Sequence, residues 1–163
     1  RDFCLSRGLG DVYKRQYCHT YIIGEHGDSE VAAWSITNIA GMSMKSFFEH
    51  YGKCTDEDLQ AMYSEVKNSA YEIIQKKGAT YYAIATAVAR IVECISGGEN
   101  SVLTISSVLN GEYGIEDISL SIPTQVSGYG VERILDVPFN EIELQGLRSS
   151  AKTLKDSLKS IGF

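Results

Sequence analysis

The chain lacks any run of about eighteen apolar residues, the length that a membrane-spanning helix needs. It also lacks a run of Lys or Arg. With a formal charge of −6 over 163 residues it presents no basic face, so nucleic acid is not an expected partner. Cysteine is scarce, and Cys4, Cys18, Cys54 and Cys94 lie far apart, without CxxC or zinc-type spacing. Scattered thiols of this kind suit a reduced, cytoplasmic protein that uses them as small buried hydrophobes, and no metal site is expected. No glycine-rich turn follows a strand and opens a helix. Gly8-Leu9-Gly10 lacks the third glycine, so nothing in the chain is expected to hold a nucleotide's phosphates by itself.

What is present is ordinary for one globular domain: a hydrophobic fraction of 44% and two prolines. At this length folding buries very roughly two thirds of the unfolded surface. Residues 17–23 read as a strand ended by Gly24. Residues 29–40, SEVAAWSITNIA, are apolar and partly β-branched, and periodicity leaves strand and helix open there. Residues 55–77 predict an amphipathic helix. Thr55 with Asp58 starts it, Leu59, Met62, Tyr63, Val66, Ala70, Ile73 and Ile74 form one stripe, and Gly78 stops it. Residues 81–96, YYAIATAVARIVECIS, predict a second helix, apolar nearly all round and therefore expected to be buried, ended by Gly97-Gly98. His50, after Phe47 and Phe48, falls in an expected loop.

The period then changes. Residues 101–109, 117–122 and 131–137 read as strands joined by Asn110-Gly111 and Ser127-Gly128 turns, an antiparallel meander. Pro123 predicts an edge strand or a strand end. Residues 140–161 close the chain as a helix capped by Asn140, with Leu144, Leu147, Ala151, Leu154, Leu158 and Ile161 at three- and four-residue spacing. The fold class expected is α+β, helices on an antiparallel sheet.

Residues 6–16, SRGLGDVYKRQ, resemble the in-frame translation of a transposase-type sequencing adapter, whose mosaic end gives DVYKRQ. On that resemblance residues 1–16 are a non-native tail without function, and residues 17–163 are the domain proper; a short native basic tail is the alternative.

One histidine stands out. In Tyr21-Ile22-Ile23-Gly24-Glu25-His26-Gly27-Asp28, two glycines flank His26 at a strand end, where the backbone can turn sharply and a ligand can come close. Imidazole titrates near pH 6.5, so it can take or give a proton at neutral pH. A lone histidine in a glycine-rich turn is also commonly structural or simply solvated, and spacing alone leaves both readings open.

GEHGDS resembles the signature of L-lactate dehydrogenases in the lactate/malate dehydrogenase family. The likeness continues through VAAWSITNIAG at 31–41, KGAT at 77–80 and LNGEYGIEDISLSIP at 109–123, and it covers residues 17–163. The part it covers is the family's C-terminal, substrate-binding half; the N-terminal Rossmann half has no counterpart here. The resemblance implies hydride transfer between NAD and a 2-hydroxy acid, with His26 exchanging the hydroxyl proton. It implies that Thr80 lines the substrate pocket near the carboxylate, the favoured reading, although the same hydroxyl could also cap the second helix. It places Ile84 against the nicotinamide, where spacing alone would call it core. It matches His19 to a position that binds fructose 1,6-bisphosphate across a subunit interface in allosteric bacterial members. The aspartate that orients the histidine and the arginine that grips the substrate carboxylate are expected upstream of Tyr17, so Asp28 is read as an acid that fixes the turn. Glu25 favours lactate/pyruvate, since malate dehydrogenases more often carry GGHG or GGHS. The family further implies a cytoplasmic homotetramer, and a chain without the nucleotide half is expected to be inactive. The alternatives are a fragment specific for malate or another 2-hydroxy acid, and a non-enzymatic stand-alone binding or assembly domain.

Overall fold

A computed structural model describes residues 17–52 and 54–162; the adapter-like tail, residues 1–16, lies outside the described residues. The first strand pair is short and interrupted. β1 (Cys18–His19) and β2 (Ile22–Ile23) belong to different small sheets, so the single strand expected over 17–23 is two pieces. Residues 29–40 are neither one strand nor one helix. β3 (Val31–Ala32) pairs antiparallel with β2, a 3-10 turn occupies Trp34–Ile36, and β4 (Asn38–Ile39) pairs with both β1 and β5 (Met42–Ser43). The chain then enters helix α1 (Met44–Tyr51), capped by Ser43, which places His50 in a helix rather than in the expected loop; its Nδ1 bonds Ser46 O at 2.8 Å. The run Met44–Tyr51 contains neither glycine nor proline, and the Ser43 cap supplies its start.

Helix α2 (Asp56–Lys77) begins and ends as its sequence dictates. Thr55 and Asp58 form a reciprocal capping box, Asp56, Glu57 and Asp58 face the positive end of the dipole, and Gly78 closes the helix at φ +81°. Helix α3 (Tyr81–Ser96) follows at once. Its extent matches the pattern but its burial does not: residues 81–90 are all exposed, and only Cys94 is buried, its Sγ 3.7 Å from Val126 O. An all-round apolar helix needs neighbours on every side, and among the described elements α3 meets mainly one end of β7. The thiols divide likewise: Cys94 is fully buried, while Cys18 and Cys54 are half-buried.

The body of the molecule is the meander β6 (Ser101–Asn110), β7 (Glu116–Ser127) and β8 (Gly130–Ile134), antiparallel in that order, with helix α4 (Glu141–Ser160) on one face. β7 is the central strand, and Pro123 lies inside it, buried and opposite Thr104 of β6, so the edge or end expected for Pro123 is corrected. A residue in an antiparallel strand directs its nitrogen and its carbonyl to the same neighbour. Pro123 O accepts from Leu135 N at 3.0 Å, so the imide nitrogen faces the β8 side, where the β7–β8 ladder begins only at Thr124. The missing N–H therefore removes no bond to β6.

Alternation along β7 sends Ile118, Leu120 and Ile122 into the core, where they meet Ile23, Ala33, Leu109, Phe139, Leu147 and Ala151. Asn140 and Glu143 cap α4 reciprocally, and Leu144 and Leu154 pack against the same core; beyond them Leu158 and Ile161 are exposed. Each fully buried aliphatic side chain contributes about 1.5–3 kcal/mol of transfer free energy. Glu143 is itself buried, and its carboxylate accepts from Ser35 N at 2.8 Å and from the Ser35 hydroxyl, which ties the 3-10 turn to α4. The outcome is the expected α+β arrangement, with β2 held on the sheet and the chain after it free to form a turn.

Candidate active site

β2 ends on the central strand. Gly24 N donates to Ser121 O and Ser121 N donates to Gly24 O, both at 2.8 Å, so the residue before the turn is fixed to β7 from both sides. Gly24 has φ +94°, and a Cβ there would lie 2.8 Å from the Ser150 Oγ of α4. Only glycine both adopts this backbone and allows the helix this close. Ser150 is fully buried. Its hydroxyl accepts the Glu25 N–H at 2.5 Å and lies 3.2 Å from Ser29 Oγ, which also donates to the Glu25 carboxylate. The turn is thus anchored immediately before His26.

It is anchored after His26 as well, by α2. Tyr63 donates its hydroxyl to Glu30 O at 2.5 Å, Lys67 donates to Asp28 O at 2.5 Å and pairs with Asp28 Oδ1 at 3.8 Å, and Tyr71 donates to Asp28 Oδ1 at 3.2 Å. His26 stands exposed between these two sets of anchors. Asp28 does what an acid fixing the turn should do. Its charge, followed by the hydrogen bond it accepts, pushes the Tyr71 hydroxyl above its ordinary range. Burial pushes the Glu30 carboxyl up, against the pull of His26 and Lys67, and its Oε1 is buried with no hydrogen-bond partner among the described residues. Burial, with the Glu30 and Asp28 charges behind it, also raises Tyr63.

Gly78 turns the chain from α2 into α3, and Thr80 occupies the N-cap position of α3 half-buried, without making a side-chain capping bond. Its hydroxyl is not used as the cap that its position would allow. Next to it Lys77 lies over the Tyr82 ring, with Nζ 3.6 Å from the centroid. Ile84 is 53% exposed, on an apolar surface continued by Val88 and Val92. His19 is exposed on β1, the edge of its small sheet, and pairs in register with Asn38. No hydrogen bond or ion pair among the described residues joins Thr80, Ile84 or His19 to His26. No cluster of three or more metal-ligating side chains occurs among the described residues, and no described helix is long and apolar enough to cross a membrane.

Residues 4–162 match the profile of the lactate/malate dehydrogenase, alpha/beta C-terminal domain. The chain belongs to the lactate/malate dehydrogenase family. The L-lactate dehydrogenase of Acetivibrio thermocellus is 55% identical over 144 residues, which are 88% of this chain and 45% of that protein. Among solved structures, the ligand-bound minor L-lactate dehydrogenase from Enterococcus mundtii superposes with a TM-score of 0.85 at 42% identity, covering 90% of this chain and 47% of that one. A malate dehydrogenase from Archaeoglobus fulgidus in complex with NADH is more distant, with a TM-score of 0.75 and 32% identity over 89% of this chain and 44% of that one. The chain thus spans about half the length of the relatives it matches, and it matches the family's C-terminal domain.

Sequence reasoning singled out His26 but missed the groups that hold its turn. Ser150 was one small residue inside an apolar stripe. Tyr63, Lys67 and Tyr71 recur every four residues along one row of α2, a spacing visible in the sequence, yet only Tyr63 was counted, and as a hydrophobe.

Proposed function

We propose that this chain is the substrate-binding and catalytic half of an NAD-dependent L-lactate dehydrogenase that interconverts lactate and pyruvate. The observation that carries the reading is the exposed His26, set in a turn fixed to β7, α4 and α2. In lactate oxidation a ring nitrogen of His26 takes the hydroxyl proton as hydride leaves the same carbon. In pyruvate reduction the imidazolium returns that proton to the nascent alkoxide, so a free alkoxide charge never builds up. When bound, NAD supplies the hydride acceptor. The apolar surface around Ile84 supports a contact with its nicotinamide ring, and the sequence carries no glycine-rich turn to hold its phosphates. Thr80, with its hydroxyl unused as a cap, contacts the substrate carboxylate. Glu25 favours lactate over malate. His19, exposed on an edge strand, is the position for a phosphorylated sugar effector between subunits of a cytoplasmic homotetramer. The domain proper is residues 17–163, with residues 1–16 a non-native tail.

The test has two parts. The chain alone, mixed with pyruvate and NADH, is expected to leave NADH absorbance unchanged, and turnover by the chain alone would overturn its inactivity. In an enzyme that joins the chain to a nucleotide-binding half, His26→Asn is expected to lower kcat/KM for pyruvate by about 10²–10⁴-fold. An unaffected rate would remove His26 from the chemistry. Oxaloacetate and branched 2-oxo acids are run in parallel, since a higher kcat/KM on either would replace lactate as the substrate.

A further inference from the structure

The row Tyr63–Lys67–Tyr71 spends its polar groups on one short target. Residues four apart on a helix lie on one face, about 5–6 Å from one to the next. Their three donors reach Glu30 O, Asp28 O and Asp28 Oδ1, all within the segment that follows His26. That segment has little structure of its own: its internal main-chain bond, Glu30 N to Gly27 O, is 3.3 Å long. Water could satisfy carbonyls on an exposed turn as well. Ordering a lysine is entropically unfavourable, and a surface ion pair contributes little in return; the Asp28 side chain is 75% exposed. Stability alone therefore does not explain why three side chains converge here. On the other side the turn is tied to α4 through Ser150, so α2 supplies the second of two supports around His26.

We propose that Tyr63, Lys67 and Tyr71 are positioning residues that seat the His26 turn on α2. The proposal rests on the dehydrogenase reading and deepens it. The same helix runs through Gly78 directly into Thr80 and Ile84. Through this row, a movement of the C-terminal half of α2 carries the histidine turn and the start of α3 together, so that the proton-transferring group and the proposed substrate and nicotinamide contacts shift as one unit.

The experiment compares the parent with Tyr63→Phe/Lys67→Met/Tyr71→Phe, each single variant, and Lys67→Arg. Amide hydrogen exchange on the chain itself is expected to speed up by about tenfold at residues 27–30 in the triple variant, with α4 and β7 unchanged. Unchanged exchange there would overturn the clamp. In the enzyme that joins the chain to a nucleotide-binding half, kcat per active site is expected to fall by about tenfold with KM for pyruvate little changed, and Lys67→Arg is expected to retain most of what Lys67→Met loses. Faster exchange with kcat per active site intact would make the row merely structural and overturn the positioning role, while the dehydrogenase reading would stand. Failure of the reading itself is recognised separately: the parent enzyme, with its row intact, would transfer no hydride to any 2-oxo acid.

Discussion

β7 with α4, and α3, each carry apolar side chains that call for cover, and they meet opposite fates. Leu120 and Leu147 are completely covered, whereas Ile84, Val88 and Val92 are each more than half exposed. The difference lies in what surrounds each element. β7 has a strand on either side and a helix on one face, whereas α3 meets mainly one end of β7. A hydrophobic pattern states that a surface needs cover; the supplier of that cover is a separate fact. The His26 turn sits between the two regions, tied to the body by Gly24 and Ser150 and to the helical arm by Tyr63, Lys67 and Tyr71.

The strongest break in the comparison is a pair of truncations. Leu147→Ala is expected to cost about 2–5 kcal/mol, because the site is enclosed by core and cannot collapse fully. Val88→Ala on α3 is expected to stay within about 0.5 kcal/mol, the lost contact being small and alanine the better helix former. Denaturant midpoints at constant slope measure both. A Val88 cost close to that of Leu147 would show α3 covered in solution, by a second copy or by α2.

Next in size is Gly24→Ala. The left-handed backbone and the 2.8 Å approach to Ser150 Oγ act together, and a loss of about 2–3 kcal/mol is expected. Gly146 offers a comparison on the same helix, where a Cβ would lie 2.7 Å from Val31 Cγ2 without backbone strain. If Gly24→Ala proves no worse than Gly146→Ala, the positive φ contributes little, and crowding alone explains both.

On the arm, Thr55→Ala removes one half of a capping box on the exposed start of α2 and is expected to cost about 1 kcal/mol. Helicity by far-UV circular dichroism should fall only in the first turn. Loss across the whole of α2 would mean that the arm has almost no tertiary support.

Caps, turns and periods were legible in the sequence because they are local. Thr55 and Asp58, Gly78, Asn140 and the 101–134 meander all stand where their neighbours put them. Features that depend on distant partners were not. Pro123 looked like a strand end because the sequence does not say that β8 begins pairing one residue later. The burial expected of α3 failed for want of neighbours. Residues 29–40 break into short pieces because Ser35 is held by Glu143, 108 positions away. In the candidate site, His26 was singled out by its flanking glycines and a family likeness, while Ser150 acts on Glu25 across 125 positions and left no local trace.

The finest test concerns the carboxylate beside the turn. Burial holds Glu30 above its ordinary value of 4.5, and Oε1 has no partner among the described residues. The folded chain therefore binds this proton more tightly than the unfolded chain does. Its contribution to stability is fully present below pH 4.5 and is lost as pH rises through the higher folded value. At neutral pH the charged carboxylate then opposes folding, while Lys67 offsets part of that effect. Glu30→Gln removes the titration and keeps the shape. Its thermal midpoint should exceed the parent's at pH 7.5 by no more than about 3 °C, and the gap should close at pH 4. A gap of equal size at both pH values would assign the change to packing. A lower midpoint at pH 7.5 would mean that the attraction of Lys67 outweighs burial, so that the carboxylate helps hold the turn rather than straining it.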